Sequence, residues 1–386
     1  MSIRRRRANV AVVGVAESDL GHAADGMSPL DLMAQATVRA LHDSGLSLRD
    51  VDGLFCASAQ VRFGPLALAE YLGLQPRYFD GTQIGGSSFM SHLAHAQLAI
   101  EAGMCEVALI AYGSTQRSVS RAAASPPEPN PYESPFQPLL PVSAYALAAA
   151  RHMHQYGTTR EQLAAVAVQA RQWALLNPAA WEKHPLTVQE VLNARMVSWP
   201  LTVRDCCLVS DGGAAILVTS AARAKSLRNP PVYVLGIGES IGHQSISNMA
   251  DLTVTPARES GRMAFARAGL KPSDVQMLAL YDAFTITPLL FLEDLGFCPK
   301  GEAGRFVQDG AIGPGGSLPV NTNGGGLSYC HPGMYGLLAM VEAVRQVRGE
   351  CGARQVAGCD ISLAHGNGVV LSSQCTVLFG SDAALP

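Results

Sequence analysis

Two stretches of the chain carry the same order of apolar and polar positions. Val10-Ala11-Val12-Val13-Gly14-Val15-Ala16-Glu17-Ser18 is an apolar run closed by a polar pair, and Val232-Tyr233-Val234-Leu235-Gly236-Ile237-Gly238-Glu239-Ser240 repeats it. Runs without polar alternation predict strands buried on both faces. In the first half, a helix is predicted over 30–44, then Gly45-Leu46, then Asp50-Val51, then a strand through Leu54 and Phe55. In the second half, a helix over 255–268 leads to Gly269-Leu270, Asp274-Val275 and a strand through Leu278 and Leu280. Gly45 and Gly269 suit the left-handed position that ends a helix, and Asp50 and Asp274 suit the turn before the next strand.

The repeat goes on. Gly85-Gly86-Ser87-Ser88 opens an apolar helix over 89–102, followed by a strand over 107–111. Gly324-Gly325-Gly326 precedes a helix over 334–347 and a strand over 355–363. Asp205-Cys206-Cys207 and the residues after it close the first unit with a strand into Ala221, and Gly366-Asn367-Gly368 closes the second with a strand into Phe379. Apolar strands alternating with helices imply an α/β architecture whose sheets are mostly parallel and covered on both faces. Two such units predict an N-terminal lobe over 1–225 and a C-terminal lobe over 226–386, related by a pseudo-twofold axis. An excursion over 116–200, with a Pro/Ser-rich loop over 124–138 and Trp173 and Trp181 beyond it, is long enough to serve as a lid or binding loop.

Composition narrows the class. Of 386 residues, 48% are apolar and 15% charged, so a large core is available. The net charge of −3 supplies no basic field for nucleic acid. The nine cysteines form no CxxC pair, which disfavours both a disulfide framework and a zinc ribbon and points to a reduced, cytoplasmic setting. Arg4-Arg5-Arg6-Arg7 reads as a solvated basic tail, because the apolar run after it is too short for an export signal. No apolar run reaches the roughly 18 residues of a membrane span. Gly236 and Gly238 lack the rest of a dinucleotide-binding fingerprint, and His92 and His95 read as core or surface histidines.

Three motifs, in this order, carry candidate chemistry: Tyr281-Asp282-Ala283-Phe284-Thr285; Asn321-Thr322-Asn323-Gly324-Gly325-Gly326 with Cys330-His331-Pro332; and His365-Gly366-Asn367-Gly368. Together with the repeat, they make the chain resemble the thiolase superfamily over nearly its whole length, in its sterol-carrier-protein-type and lipid-transfer branch. The resemblance implies the thiolase fold, two similar βαβ-repeat lobes in five layers (αβαβα). It also implies an acyl-CoA substrate, with coenzyme A as part of that substrate and no cofactor or metal held by the chain. The family's reactive cysteine corresponds to Gly86, give or take one residue, and its second cysteine falls near Ser362; neither position carries a thiol. Glycine cannot form an acyl-enzyme. The likeness is strongest to the cysteine-less aldolases that cleave steroid side chains as CoA thioesters with two tyrosines, whose places here are Tyr281 and Tyr329.

That resemblance gives the expected activity: retro-aldol cleavage of a bulky 3-hydroxyacyl-CoA by Tyr281, Tyr329 and His331. The amides at Gly86 and Ser87 form either an oxyanion hole or a plain helix start capped by Ser88. Cys330 is either an inert filler or a displaced nucleophile, and His365 either orients a ligand or caps the last strand. The rival readings are an acetyl-CoA C-acyltransferase with a displaced nucleophile, a non-catalytic acyl-CoA or lipid carrier, and a scaffold subunit. The branch further implies a homodimer built through the N-terminal lobes and a small zinc-ribbon/OB-fold partner, with no nucleic-acid or membrane partner.

Overall fold

The structure is a computed structural model that describes residues 8–119 and 130–385. The Arg4–Arg7 run and the first part of the Pro/Ser-rich loop lie outside the described residues. Eleven strands are formed among the described residues: β1 Val10–Glu17, β2 Gly53–Cys56, β3 Tyr78–Asp80, β4 Val107–Ser114, β5 Met196–Ser198, β6 Leu201–Thr202, β7 Gly212–Ser220, β8 Val232–Ile241, β9 Met277–Leu280, β10 Ile361–Gly368 and β11 Ser373–Gly380. Nine of them make one sheet in the order β3-β2-β4-β7-β1-β8-β11-β10-β9, while β5 and β6 form a small separate hairpin.

The order is a palindrome of the internal repeat. β1, β2, β4 and β7 correspond to β8, β9, β10 and β11, and a single parallel bridge from Leu278 to Val320 stands where β3 stands in the first half. The two half-sheets meet where β1 pairs with β8 at Ala11–Tyr233 and Val12–Val232. Helix Pro29–Ser44 packs on one outer face and helix Ala257–Ala268 on the other. Helices Ser88–Glu101 and Gly336–Arg348 lie against each other and touch strands of both halves, forming the middle of five layers.

Local sequence explains the repeated stops. Gly45 (φ 76°) and Gly269 (φ 67°) end the two outer helices in the left-handed conformation. In the turns that follow, Asp50 accepts from the Ser47 amide at 2.9 Å and Asp274 from the Lys271 amide at 2.8 Å. Ser28 and Asp31 cap the first outer helix reciprocally.

Two expectations change. The sheet is mixed, not mostly parallel: every neighbouring pair along β4-β7-β1-β8-β11-β10 is antiparallel, and only the pairs within β3-β2-β4 and β10-β9 are parallel. The four residues between β10 and β11 are too few for a crossover, so the closing strand must return antiparallel. The strand expected over 355–363 begins only at Ile361 and runs through Gly368, which puts the Gly366–Gly368 segment inside β10, ahead of the closing strand. Residues 352–354 instead form a short 3-10 turn after Gly349 ends the helix.

Candidate active site

The three candidate motifs meet where the middle-layer helices begin. Gly85 and Gly86 precede helix Ser88–Glu101, and Gly333 to Tyr335 precede helix Gly336–Arg348. Tyr281 follows β9, its amide donating to the His365 carbonyl at 3.0 Å. The closing segment of the N-terminal lobe stitches the motifs together. The Cys207 amide donates to Ala283 O (2.8 Å), the Leu208 amide to Gly326 O (2.9 Å), and the His331 amide to Ser210 Oγ (2.9 Å).

These elements wall a cavity of about 1360 Å³. Gly86, Tyr281 and His331 line it, as do Tyr112, Tyr145 and Cys207. Residues between 130 and 197 supply one side, including Arg171, Glu182 and Arg195, and Arg204 stands beyond them. Glu182 pairs with Arg171 at 3.2 Å and with Arg204 at 3.8 Å.

Tyr281 is held tightly. Its hydroxyl donates to the Gly333 carbonyl at 3.0 Å, and its ring stands edge-on to His331 (centroids 5.5 Å) and Tyr335 (5.9 Å). Burial pushes its phenol well above the ordinary tyrosine range, so it is a neutral proton donor. His331 is 7% exposed, and its Nε2 has no hydrogen-bond partner. Burial lowers its imidazole to about 4, which keeps it neutral at physiological pH and able to accept a proton. A buried polar atom left open at a cavity wall is the mark of a site that completes its bonding with a ligand or water.

Asp282 stands behind Tyr281, wholly buried, and accepts from the Gly326 amide at 2.6 Å and the Leu327 amide at 3.3 Å. It thereby fixes the wide helical turn Gly325–Tyr329 that leads to His331. Burial raises its carboxyl to about 7 against those two amides.

The other expected site residues go elsewhere. The Tyr329 hydroxyl does not point to the cavity; it donates to Glu17 Oε1 at 2.8 Å, and Arg345 Nη1 reaches the same oxygen at 2.7 Å. Burial pushes the Cys330 thiol well above its ordinary range, the Glu17 and Asp282 charges add to that, and the residue does not line the cavity. His365 is buried in β10, with Nδ1 2.9 Å from Thr376 Oγ1 and Nε2 2.8 Å from Gln374 Oε1. Both of its ring nitrogens are thus satisfied inside the sheet, and burial holds it near 3. The Ser87 hydroxyl bonds Ser373 Oγ at 2.6 Å, and Ser87 does not line the cavity. His92 and His95 are on the Ser88–Glu101 helix near Asp80 and Thr82, apart from the cavity wall.

Sequence reasoning missed Tyr112, Tyr145 and Cys207 as cavity residues, and Tyr335 as the ring stacked on His331 at 6.2 Å. Tyr112 and Tyr145 sit within ordinary apolar patterns of a strand and a helix, so nothing in the sequence separates them from core. Cys207 had a signal, the closing segment Asp205-Cys206-Cys207 itself. Tyr335 had one too, its place just past His331-Pro332-Gly333.

The fold and site define an α/β enzyme of two related lobes, with the candidate site at their junction. The family description "Thiolase C-terminal domain-like" matches residues 238–381. A 17-hydroxy-3-oxo-4-pregnene-20-carboxyl-CoA lyase of Mycobacterium tuberculosis is 35% identical over 380 residues, covering 94% of this chain and 97% of its own. An acetyl-CoA acetyltransferase of Methanothermobacter thermautotrophicus is 34% identical over 374 residues, covering 93% and 96%. The solved structure of an Ltp2-ChsH2(DUF35) aldolase superposes with a TM-score of 0.89 at 32% identity, covering 98% of this chain and 99% of that one. The chain belongs to the thiolase superfamily, in the sterol-carrier-protein-type branch that includes the acyl-CoA aldolases.

Proposed function

We propose that the chain is an acyl-CoA lyase that cleaves a bulky 3-hydroxyacyl-CoA of the steroid side-chain type by a retro-aldol reaction. The observation that carries this reading is the convergence of a neutral tyrosine hydroxyl and an unpartnered, neutral imidazole on one cavity wall, beside a glycine at the place of the family's acyl-accepting thiol. His331 Nε2 takes the proton of the 3-hydroxyl. The C2–C3 bond breaks, C3 becomes a ketone, and the electron pair passes to C2 as the thioester enolate. The amides at the start of helix Ser88–Glu101 stabilise the enolate oxygen. Tyr281 protonates C2, and the proton on His331 returns through solvent to the phenol. The products are a ketone and a shortened acyl-CoA, with no net redox change.

The cavity volume favours a polycyclic acyl group, and Arg195 and Arg204 on its wall suit the phosphates of coenzyme A. Tyr329, bonded to Glu17, supports the fold around the site and exchanges no proton with substrate. The test is turnover of 17-hydroxy-3-oxo-4-pregnene-20-carboxyl-CoA. Tyr281→Phe keeps the ring and loses the transferable proton, so kcat falls at least about 100-fold while thioester binding stays near wild type. Near-wild-type kcat in that variant rules the mechanism out.

One observation favours a second reading, acyl transfer: Cys207 lines the same cavity and is partly exposed. A mass increase of the intact chain on incubation with acetyl-CoA, absent in Cys207→Ala, is the result that would establish it.

The chain forms a homodimer through its N-terminal lobe and binds a small zinc-ribbon/OB-fold protein of the DUF35 kind. Support for the dimer is the edge strand β3, on which Phe79 is exposed, together with the exposed Leu66 on helix Gly64–Leu72 and Leu98 on helix Ser88–Glu101 of the same lobe. Support for the second partner is the solved relative itself, an Ltp2-ChsH2(DUF35) aldolase. Among the described residues no helix is long and apolar enough to cross a membrane.

A further inference from the structure

We propose that residue 86 sets which reaction this cavity can run, because the Tyr281 ring fills the space that any side chain at 86 would need. A Cβ built on Gly86 lies 2.2 Å from Tyr281 Cε2 and 2.8 Å from its Cζ. It also lies 2.7 Å from the Asn367 carbonyl oxygen. These separations are far inside van der Waals contact, so either the ring or the backbone must move.

The ring has nowhere to go. Its hydroxyl is tied to Gly333 O, its edge faces His331 and Tyr335, and it is 4% exposed. On the other side, the Gly86 carbonyl is 2.1 Å from where a Cβ on Gly336 would stand, so the turn cannot retreat towards helix Gly336–Arg348. The backbone conformation does not itself demand glycine. Gly85, next to it, has φ 79°, but Gly86 is not among the positive-φ residues. What excludes a side chain at 86 is therefore the neighbouring ring together with one carbonyl.

A nucleophilic thiol at 86 and a phenol at 281 thus exclude each other. The site has volume for a covalent acyl acceptor or for the tyrosine proton donor, and this chain has spent it on the tyrosine. Gly86 is on this view a positioning residue: it leaves the Tyr281 ring in the place where it lines the cavity and its hydroxyl reaches Gly333 O. The catalytic half of the inference rests on the proposed role of Tyr281, and the steric half does not.

The experiment is a thermal double-mutant cycle with Gly86→Ala, Tyr281→Leu and the pair, alongside kinetics of Gly86→Ala. Leucine ends at Cδ, so it removes Cε2 and Cζ while keeping most of the buried apolar volume. Gly86→Ala lowers the Tm of the wild-type chain by several degrees, and in the Tyr281→Leu background it lowers it by less than half as much. With 17-hydroxy-3-oxo-4-pregnene-20-carboxyl-CoA, folded Gly86→Ala loses at least about 100-fold in kcat with KM within about threefold. If Gly86→Ala does not fold, folding of the double variant carries the proposal, and failure of both overturns it. An equal Tm loss in the two backgrounds overturns it as well, because the obstacle would then be the Asn367 carbonyl and not the ring. So does a Gly86→Ala enzyme with wild-type Tm and kcat. The Tm coupling does not depend on whether Tyr281 exchanges protons, so an active Tyr281→Phe variant sinks the mechanism proposed above without touching the coupling.

Discussion

Cys330 and His331 are neighbours in sequence, yet their environments give them opposite chemical prospects. A thiol becomes a nucleophile as thiolate, and thiolate forms where positive charge or helix amides favour it. Cys330 meets the reverse: full burial, with the carboxyl groups of Glu17 and Asp282 nearby. His331 is buried as well, but it opens on a cavity and keeps one nitrogen unspent. A neutral imidazole loses nothing by burial until it must accept a proton, and then the developing enolate charge lies close by. Cys330→Ala is therefore expected to leave turnover within about twofold of wild type, because it removes a thiol that neither ionises nor reaches the substrate, whereas His331→Ala loses at least about 100-fold. Steady-state kinetics on the two variants checks both, and an acyl adduct on Cys330 in the wild-type chain would count against this account.

Between elements, the junction of the lobes depends on a small, partly buried network. Glu17 at the end of β1 receives Arg345 from helix Gly336–Arg348 and Tyr329 from the turn before His331. Burial raises the Glu17 carboxyl, but Arg345 and then Tyr329 outweigh that, and it stays below its ordinary value. One turn further on, Arg348 Nη1 reaches Asp43 on helix Pro29–Ser44 at 2.9 Å. Removing one partner of this partly buried pair leaves the other charge poorly compensated, so Glu17→Gln is expected to cost about 2 kcal/mol of stability, below the range for a fully buried pair. Tyr329→Phe leaves the Glu17–Arg345 pair intact and removes one hydrogen bond, which costs about 1 kcal/mol. Its kcat stays within a few fold of wild type. Denaturant melts and turnover on the two variants test this, and a collapse of kcat in Tyr329→Phe would return that tyrosine to the catalytic set. The contrast shows what the sequence could and could not convey. Repeats, helix ends and the motif glycines were legible because each depends on local chemistry: Gly45 and Gly269 close helices, and Gly85 takes a left-handed turn. The direction of the Tyr329 hydroxyl was not, because it is set by Glu17, 312 positions away. The antiparallel centre of the sheet was hidden for a similar reason: an apolar strand buried on both faces reads the same in either direction.

At the scale of the whole molecule, the buried titratable groups make stability depend on pH in a definite sense. His92 and His331 are lowered from 6.5 to about 4, and His365 to about 3, each mainly by burial. In the window from about pH 6.5 down to about 4, the unfolded chain binds protons on these histidines and the folded chain does not. Stability therefore falls as pH falls through that window and is fully present above about 6.5. Asp282 opposes this. Its carboxyl, raised from 3.8 to about 7, is protonated in the fold but ionised in the unfolded chain, so its contribution falls as pH rises from about 4 to 7. Burial raises the carboxyls of Asp205, Asp294 and Glu350 as well, in the same opposing sense. The three imidazoles are each displaced by two pH units or more, and the net expectation is a Tm that drops between pH 6.5 and 4.5. The two sides can be separated. Asp282→Asn removes its share of the opposing contribution and keeps the size of the side chain, so the drop below pH 6.5 becomes steeper. His365→Gln removes one of the depressed imidazoles from a site that does not face the cavity, so the drop becomes shallower while turnover at neutral pH is retained. Calorimetric melts of the three proteins across that range supply the test. A wild-type Tm that is flat or rising on acidification to pH 4.5 would contradict the buried, neutral state of the histidines, and with it the neutral His331 on which the proposed proton transfer depends.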